Sequence, residues 1–236
     1  MIKSQKCWAI IPAAGIGTRM GVETPKQYLS LAGKTVLEHA LLHFCEHDAI
    51  HGVVVVLSED DRYWKSVSVV TNRKIHTTTG GQQRYHSVLN GLNYLEKIAQ
   101  PDDWIMVHDA ARPCVRLEDI NKLIDAANGT EDGAILAVPT RDTMKRADKD
   151  YKIRETVSRE DLWHALTPQI FRFSTLRTAL QKAIVNNIPI TDEAQAVEMM
   201  GLRPLLVEGY ADNIKITHKA DLALAETHLR QQKRLA

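Results

Sequence analysis

Directly after the apolar run Cys7-Trp8-Ala9-Ile10-Ile11 comes Pro12-Ala13-Ala14-Gly15-Ile16-Gly17-Thr18-Arg19-Met20, with Pro25-Lys26-Gln27 close behind. A buried strand that empties into a glycine-rich turn exposes successive backbone N–H groups, which can cradle phosphate oxygens. Arg19 and Lys26 supply compensating positive charge, so the stretch outlines a triphosphate site. Two better-known phosphate loops are excluded. The P-loop needs G-x-x-x-x-G-K-[ST], and the dinucleotide turn needs a third glycine where this chain has Met20.

A second candidate is Trp104-Ile105-Met106-Val107-His108-Asp109-Ala110-Ala111-Arg112-Pro113, where an apolar strand ends on an acid. Asp109 is a suitable magnesium ligand, because magnesium bound to a nucleotide takes only one or two protein carboxylates and completes its octahedron with phosphate oxygens and water. No nucleophile is paired with His108 in the sequence, so it reads as a packing or backbone-bonding residue. In Gly80-Gly81-Gln82-Gln83-Arg84-Tyr85-His86-Ser87-Val88 a glycine pair opens a helix. Its amides could face a base or phosphate, while Ser87 is either a base-reading hydroxyl or an ordinary helical serine. Lys215, between Ile214 and Ile216, points away from their face, into solvent or into a cleft.

These residues need a scaffold. Cys7 to Ile11, Gly52 to Leu57, Trp104 to Val107 and Gly133 to Val138 read as buried strands, with a short strand near Leu205 to Val207. Helical spacing of apolar residues marks Thr35 to His47, Gln82 to Leu95, Leu117 to Ala127, Phe173 to Val185 and Lys219 to Gln231. Such alternation predicts an α/β fold: a Rossmann-like, mostly parallel sheet with helices on both faces and ligands beyond the carboxyl ends of the strands. The expected organisation is one domain over 1–236. Its rhythm breaks at about 140–159, where polar strands flank Asp148-Lys149-Asp150 and predict a projecting β-hairpin arm. Because an isolated hairpin is marginally stable, the arm is expected to pack on another surface such as a second subunit.

Composition bounds the function. With 236 residues, 44% of them hydrophobic, the chain can bury a full core. Thirty basic against 29 acidic side chains give no global attraction to nucleic acid or an anionic membrane. Three cysteines without CxxC spacing argue against a disulfide framework or a structural zinc, and Cys7 and Cys45 read as core residues. No secretory leader or membrane span is legible, so a cytoplasmic setting is expected.

The motifs P-A-A-G-x-G-x-R-M, P-K-Q, G-G-x-x-R-x-x-S-V, V-H-D-A-A-R-P, R-D-T-M-K-R, W-x-A-L-T-P-Q, T-D-E-A and D-N-I-K-I-T together, in this order, resemble the 2-C-methyl-D-erythritol 4-phosphate cytidylyltransferases of the non-mevalonate isoprenoid pathway. The resemblance runs nearly end to end. It implies transfer of a cytidylyl group from CTP to a sugar-alcohol phosphate by in-line attack, with pyrophosphate leaving and no covalent enzyme intermediate. It implies that Arg19 and Lys26 stabilise the α-phosphate and the leaving group. Ala13, Ala14, Gly15 and Gly17 would line the triphosphate and ribose; Gly81, Gln82 and Ser87 would surround cytosine. Asp109 would hold Mg2+, and Arg112 would sit beside the acceptor, with Ala110 also in the substrate-binding set. Arg159 and Lys215, assisted by Thr143 and Thr167, would position the acceptor. Thr143 and Arg159 would come from the arm of a partner subunit, making a homodimer part of the mechanism. Gln82 and Gln83 stand where family members often carry acids, which puts side-chain contacts to the base, though not backbone contacts, in question. Two alternatives follow from the same loop: a ribitol 5-phosphate cytidylyltransferase, disfavoured by Arg141-Asp142-Thr143-Met144-Lys145-Arg146, and a non-catalytic nucleotide-sensing domain, disfavoured by Asp109, Arg159 and Lys215 together.

Overall fold

A computed structural model describes residues 5–15 and 24–235. The first strand, β1 (Cys7–Pro12), lies in the interior of a seven-stranded sheet. After it come a short hairpin, β2 (Ser30–Leu31) and β3 (Lys34–Thr35), and helix α1 (Val36–Glu46). Thr35 starts that helix through a capping box: its hydroxyl accepts from the Glu38 N–H at 3.1 Å, and the Glu38 carboxylate accepts from the Thr35 N–H at 2.6 Å. The chain continues through β4 (Ile50–Leu57), β5 (Ile75–Thr79), α2 (Arg84–Leu95), β6 (Trp104–Val107), α3 (Leu117–Ala127) and β7 (Ala134–Pro139). Next are the arm strands β8 (Met144–Ala147) and β9 (Ile153–Val157), the long strand β10 (Trp163–Arg172), α4 (Phe173–Val185), α5 (Glu193–Glu198), β11 (Leu205–Glu208) and α6 (Ala220–Gln231).

The sheet order is β11-β7-β10-β6-β1-β4-β5. β1 pairs in parallel with β4 and with β6, and β4 with β5, while β7 pairs in parallel with β11. β10 alone runs antiparallel, between β6 and β7. The mostly parallel α/β sheet expected from the sequence is therefore present, with one antiparallel strand that the sequence reading did not identify. Alternation along the strands explains the two cores. Ala9 and Ile11 of β1, with Val53 and Val55 of β4, pack on α1 and α3, whereas Trp8, Ile10, Val54 and Val56 pack on α2 and α4. A smaller cluster seats Ala225 and Leu229 of α6 against Leu31, Val36 and Ile216. All three cysteines are buried thiols. No described helix is long and apolar enough to cross a membrane.

After β1 the chain builds β4 and β5 on one side, then returns to place β6 on the other. That reversal opens a crevice beyond the carboxyl ends of β1 and β6. At the far end of β7 the arm departs. It is a separate two-stranded sheet, Met144 opposite Val157 and Lys145 opposite Thr156, and every residue from 141 to 156 is exposed. The Asp148 carboxylate accepts from the Asp150 and Lys152 N–H groups at 2.9 and 3.0 Å, which closes the tip as an Asx turn.

Candidate active site

The crevice is a cleft of about 390 Å³. Its walls are Pro12 to Gly15 after β1, Lys26 and Gln27, Gly81 to Arg84 with Ser87, Asp109 to Ala111 after β6, and Lys215. Five separate stretches of sequence thus meet at the ends of two adjacent strands. Buried Gln27 ties the first two together, its side-chain amide donating to the carbonyls of Ala13 at 2.6 Å and Gly15 at 3.0 Å. Lys26 donates to the Ile216 carbonyl at 2.9 Å, and the Ile216 N–H donates to the Ala111 carbonyl at 2.8 Å, so the segment carrying Lys215 is bonded to two other walls.

Asp109 is the electrostatic centre. Arg84 Nε lies 2.8 Å from its Oδ1, while Lys215 Nζ and Arg112 Nε lie 2.9 and 3.4 Å from its Oδ2. Burial alone would raise this carboxyl's pKa, but Arg84, Lys215 and Arg112 outweigh burial and hold it well below the usual carboxylate range. It is an anion at any ordinary pH. The Asp109 N–H donates to Thr167 Oγ1 at 3.1 Å, and His108 Nδ1 lies 3.0 Å from the same hydroxyl. His108 Nε2 faces the Arg112 carbonyl at 3.0 Å. These contacts fit one tautomer: Nε2–H donates to Arg112, and the threonine hydroxyl donates to Nδ1. Burial pushes the imidazole pKa down to about 4, against the bonds that pull it up, so the ring is neutral at physiological pH.

The glycine pair acts by close approach. Gly80 N–H donates to the Leu57 carbonyl at 2.7 Å and Gly81 N–H to Ser87 Oγ at 3.1 Å, so these amides are engaged within the protein. A Cβ on Gly80 would stand 2.4 Å from the Ala14 Cβ, and one on Gly81 2.5 Å from the His86 Cβ. Glycine is needed here for the β5–α2 turn to lie against the loop after β1.

A magnesium ion that arrives with its nucleotide takes most of its ligands from phosphate and water, so one carboxylate on the cleft would be enough protein to hold it. Asp109 fits that role. The Asp212 carboxylate is paired with Arg116 at 2.6 Å and accepts from Gln232 Nε2 at 3.0 Å, and it is not among the residues that line the cleft. Among the described residues no three His, Cys, Asp or Glu side chains gather into a protein-only metal cage.

The sequence model of the 2-C-methyl-D-erythritol 4-phosphate cytidylyltransferases matches residues 7–231. The chain belongs to this family. It is 50% identical over 229 residues to the 2-C-methyl-D-erythritol 4-phosphate cytidylyltransferase of Vibrio atlanticus, covering 97% of each chain. It is also 50% identical over 216 residues to that of Pseudomonas aeruginosa, covering 91% of this chain and 92% of the relative. The fold superposes on the solved Francisella tularensis 2-C-methyl-D-erythritol 4-phosphate cytidylyltransferase with a TM-score of 0.84 at 37% identity, over 95% of this chain and 100% of that one. The resemblance read from the motifs is borne out, and the chain is a nucleotidyltransferase.

Of the residues that the resemblance suggested, the cytidylyltransferase cleft brings together Ala13, Ala14, Gly15, Lys26, Gly81, Gln82, Ser87, Asp109, Ala110 and Lys215. Lys215, left open between solvent and cleft, faces the cleft. Gly17 and Arg19 lie outside the described residues. Arg112 sits behind Asp109, its Nη1 donating to the Asn213 carbonyl at 2.7 Å, and Thr167 is buried below, its hydroxyl between His108 and Asp109. Thr143 and Arg159 are exposed at the base of the arm, where the Arg159 guanidinium donates to the Arg141 carbonyl. Sequence reasoning assigned no role to Gln27, Arg84, Glu193 or Asn213. The motifs P-K-Q, G-G-x-x-R, T-D-E-A and D-N-I-K contain them and were the available signal.

Proposed function

We propose that this chain transfers CMP from CTP to 2-C-methyl-D-erythritol 4-phosphate, giving 4-diphosphocytidyl-2-C-methyl-D-erythritol and pyrophosphate. The observation that carries the reading is the ionised, buried Asp109 carboxylate in the wall of a cleft that Gly15 and Gly81 also line, with Lys26 and Lys215 on the same walls. Such a site binds by position and charge, which is what in-line phosphoryl chemistry requires.

In this reading the loop from Ala13 to Gly17 lines the triphosphate and ribose, and Gly81, Gln82 and Ser87 with Ala110 surround the base and its sugar. The acceptor phosphate attacks the α-phosphorus as the bond to the bridging oxygen of pyrophosphate breaks. Lys26 and Arg19 face the charge that accumulates on the α-phosphate and leaving group. Lys215 neutralises the incoming phosphate, and Arg112 holds Asp109 from behind. Nucleotidyl transfer of this kind uses a divalent cation, here Mg2+, which Asp109 would hold and which would draw negative charge from the phosphates.

Acceptor binding is completed by Thr143 and Arg159 from the arm of a second subunit, with Thr167 supporting the floor. Three facts support a homodimer. Neither arm residue is among the described residues that line the cleft of its own chain. The arm buries nothing against itself. It also exposes Tyr151 at 93%, Ile153 at 67% and Met144 at 37%, a set of apolar side chains suited to a partner surface. The remaining parts of the reading are one catalytic domain over the whole chain, with the arm at 140–159 as its insertion, and a cytoplasmic setting without nucleic-acid or membrane partners.

The test is the stereochemistry at phosphorus. With a chiral α-thio analogue of CTP, a single in-line displacement inverts the α-phosphorus in the product. Net retention would require an enzyme-bound nucleotide intermediate and would overturn the mechanism.

A further inference from the structure

The T-D-E-A motif has no part in the chemistry so far, yet it delivers one of the most deeply buried charges in the protein. Glu193, the first residue of α5, is 0% exposed. It is held there by Gln169 of β10, whose side chain donates to Asp192 Oδ2 at 2.8 Å and accepts from the Ala194 N–H at 3.0 Å. Asp192 caps the same helix by accepting from the Gln195 N–H at 3.0 Å. Burying an acid in this way is costly unless it meets a cation.

The cation is Arg84. Its Nη1 lies 2.7 Å from Glu193 Oε1, while its Nε lies 2.8 Å from Asp109 Oδ1. A salt bridge serving stability alone gains most as a two-pronged fork between one guanidinium and one carboxylate. Here the guanidinium instead makes one contact to each of two acids, one inside the core and one on the cleft. Among the described residues Glu193 makes no other ion pair. We propose that Glu193 is a positioning residue for the transfer reaction: acting through Arg84, it fixes the place and the charge balance of the Asp109 carboxylate.

The charge count explains the need. Arg84, Arg112 and Lys215 all face Asp109, so without Glu193 this one carboxylate would have to balance three cations. Glu193 shares Arg84 from its far side, so that two acids rather than one balance the three cations around Asp109. Partners that orient a ligating carboxylate commonly matter nearly as much as the ligand. Burial raises the Glu193 pKa, and Arg84 pulls it back, so the acid depends on Arg84 as much as Arg84 depends on it.

The inference rests on the reading of Asp109 as the working carboxylate of the cleft, and a double-mutant cycle separates the two. Glu193→Gln keeps the shape and one oxygen acceptor but removes the charge. It is expected to lower kcat by about 10–100-fold, while the KM for CTP changes by less than about threefold. Arg84→Gln should lower both kcat and Tm, because it strands a buried acid. The double variant Arg84→Gln with Glu193→Gln should regain the lost Tm and match Arg84→Gln in kcat, since Glu193 acts only through Arg84. Wild-type kcat in Glu193→Gln beside an impaired Arg84→Gln would overturn the positioning role, as would losses that multiply in the double variant. Wild-type kcat in Arg84→Gln would overturn the inference together with the placing of the chemistry at Asp109.

Discussion

Asp109 carries three ion pairs at once, and replacing it with Asn would leave Arg84, Arg112 and Lys215 facing one another, with the Glu193 carboxylate on Arg84 as their one remaining ion-pair partner among the described residues. We expect Asp109→Asn to lower turnover by about 10²-fold or more. It should also lose about 3 kcal/mol of stability, measured by urea unfolding, because Arg84 and Arg112 are largely buried. His108 contributes differently. Its folded pKa of about 4 lies below the ordinary value of 6.5, so the unfolded chain binds the extra proton first as pH falls. The stability it contributes is complete above about pH 6.5 and is lost on descending toward pH 4, by roughly 3 kcal/mol in all. Unfolding free energies at pH 7 and pH 5 should show that slope, and His108→Gln should flatten it. At this scale the sequence is legible where a residue lines the cleft directly: Asp109 and Lys215 stand at a strand end and in an alternating apolar run. Arg84 and Glu193 were not legible as a pair, because 109 positions separate them and the packing of α5 on α4, and of α4 on α2, brings them together.

At the scale of elements, the cleft is set by how closely loops approach. Gly80→Ala would drive a methyl group into Ala14 and part the two loops that wall the cleft. Calorimetry should find CTP bound at least tenfold more weakly, with the fold intact. Gly133, just before β7, has φ of +86°, and a Cβ there would stand 2.4 Å from the Phe171 ring and 2.5 Å from the Ile170 carbonyl. Gly133→Ala combines a left-handed backbone with overpacking and should cost about 3 kcal/mol in chemical denaturation. The apolar strands β1, β4, β6 and β7 are readable from sequence because both of their faces are buried. β5, Ile-His-Thr-Thr-Thr, is an edge strand with little apolar content, and β10 contains Pro168, around which its register shifts between Ala165 and Gln169. Neither carries the pattern that marks a central strand. The six-residue α5 is too short for a helical period to show.

For the whole molecule, the arm decides whether one chain suffices. Arg159→Ala and Lys26→Ala should each be nearly inactive. If each cleft takes its arginine from the partner, mixing the two variants should restore about a quarter of wild-type activity, because half the dimers are mixed and each of those holds one intact site of two. No recovery in verified mixed dimers would contradict the shared site. The order of motifs along the chain made the family legible, whereas the role of the exposed arm is decided by the mixing experiment. The central claim is the reaction itself. Its most direct measurement is magnesium-dependent pyrophosphate release from CTP, with 2-C-methyl-D-erythritol 4-phosphate and ribitol 5-phosphate offered separately to the purified protein. Release with the methylerythritol phosphate alone is the predicted result. Release with ribitol phosphate alone, or with neither acceptor in a folded sample that binds CTP, would contradict it.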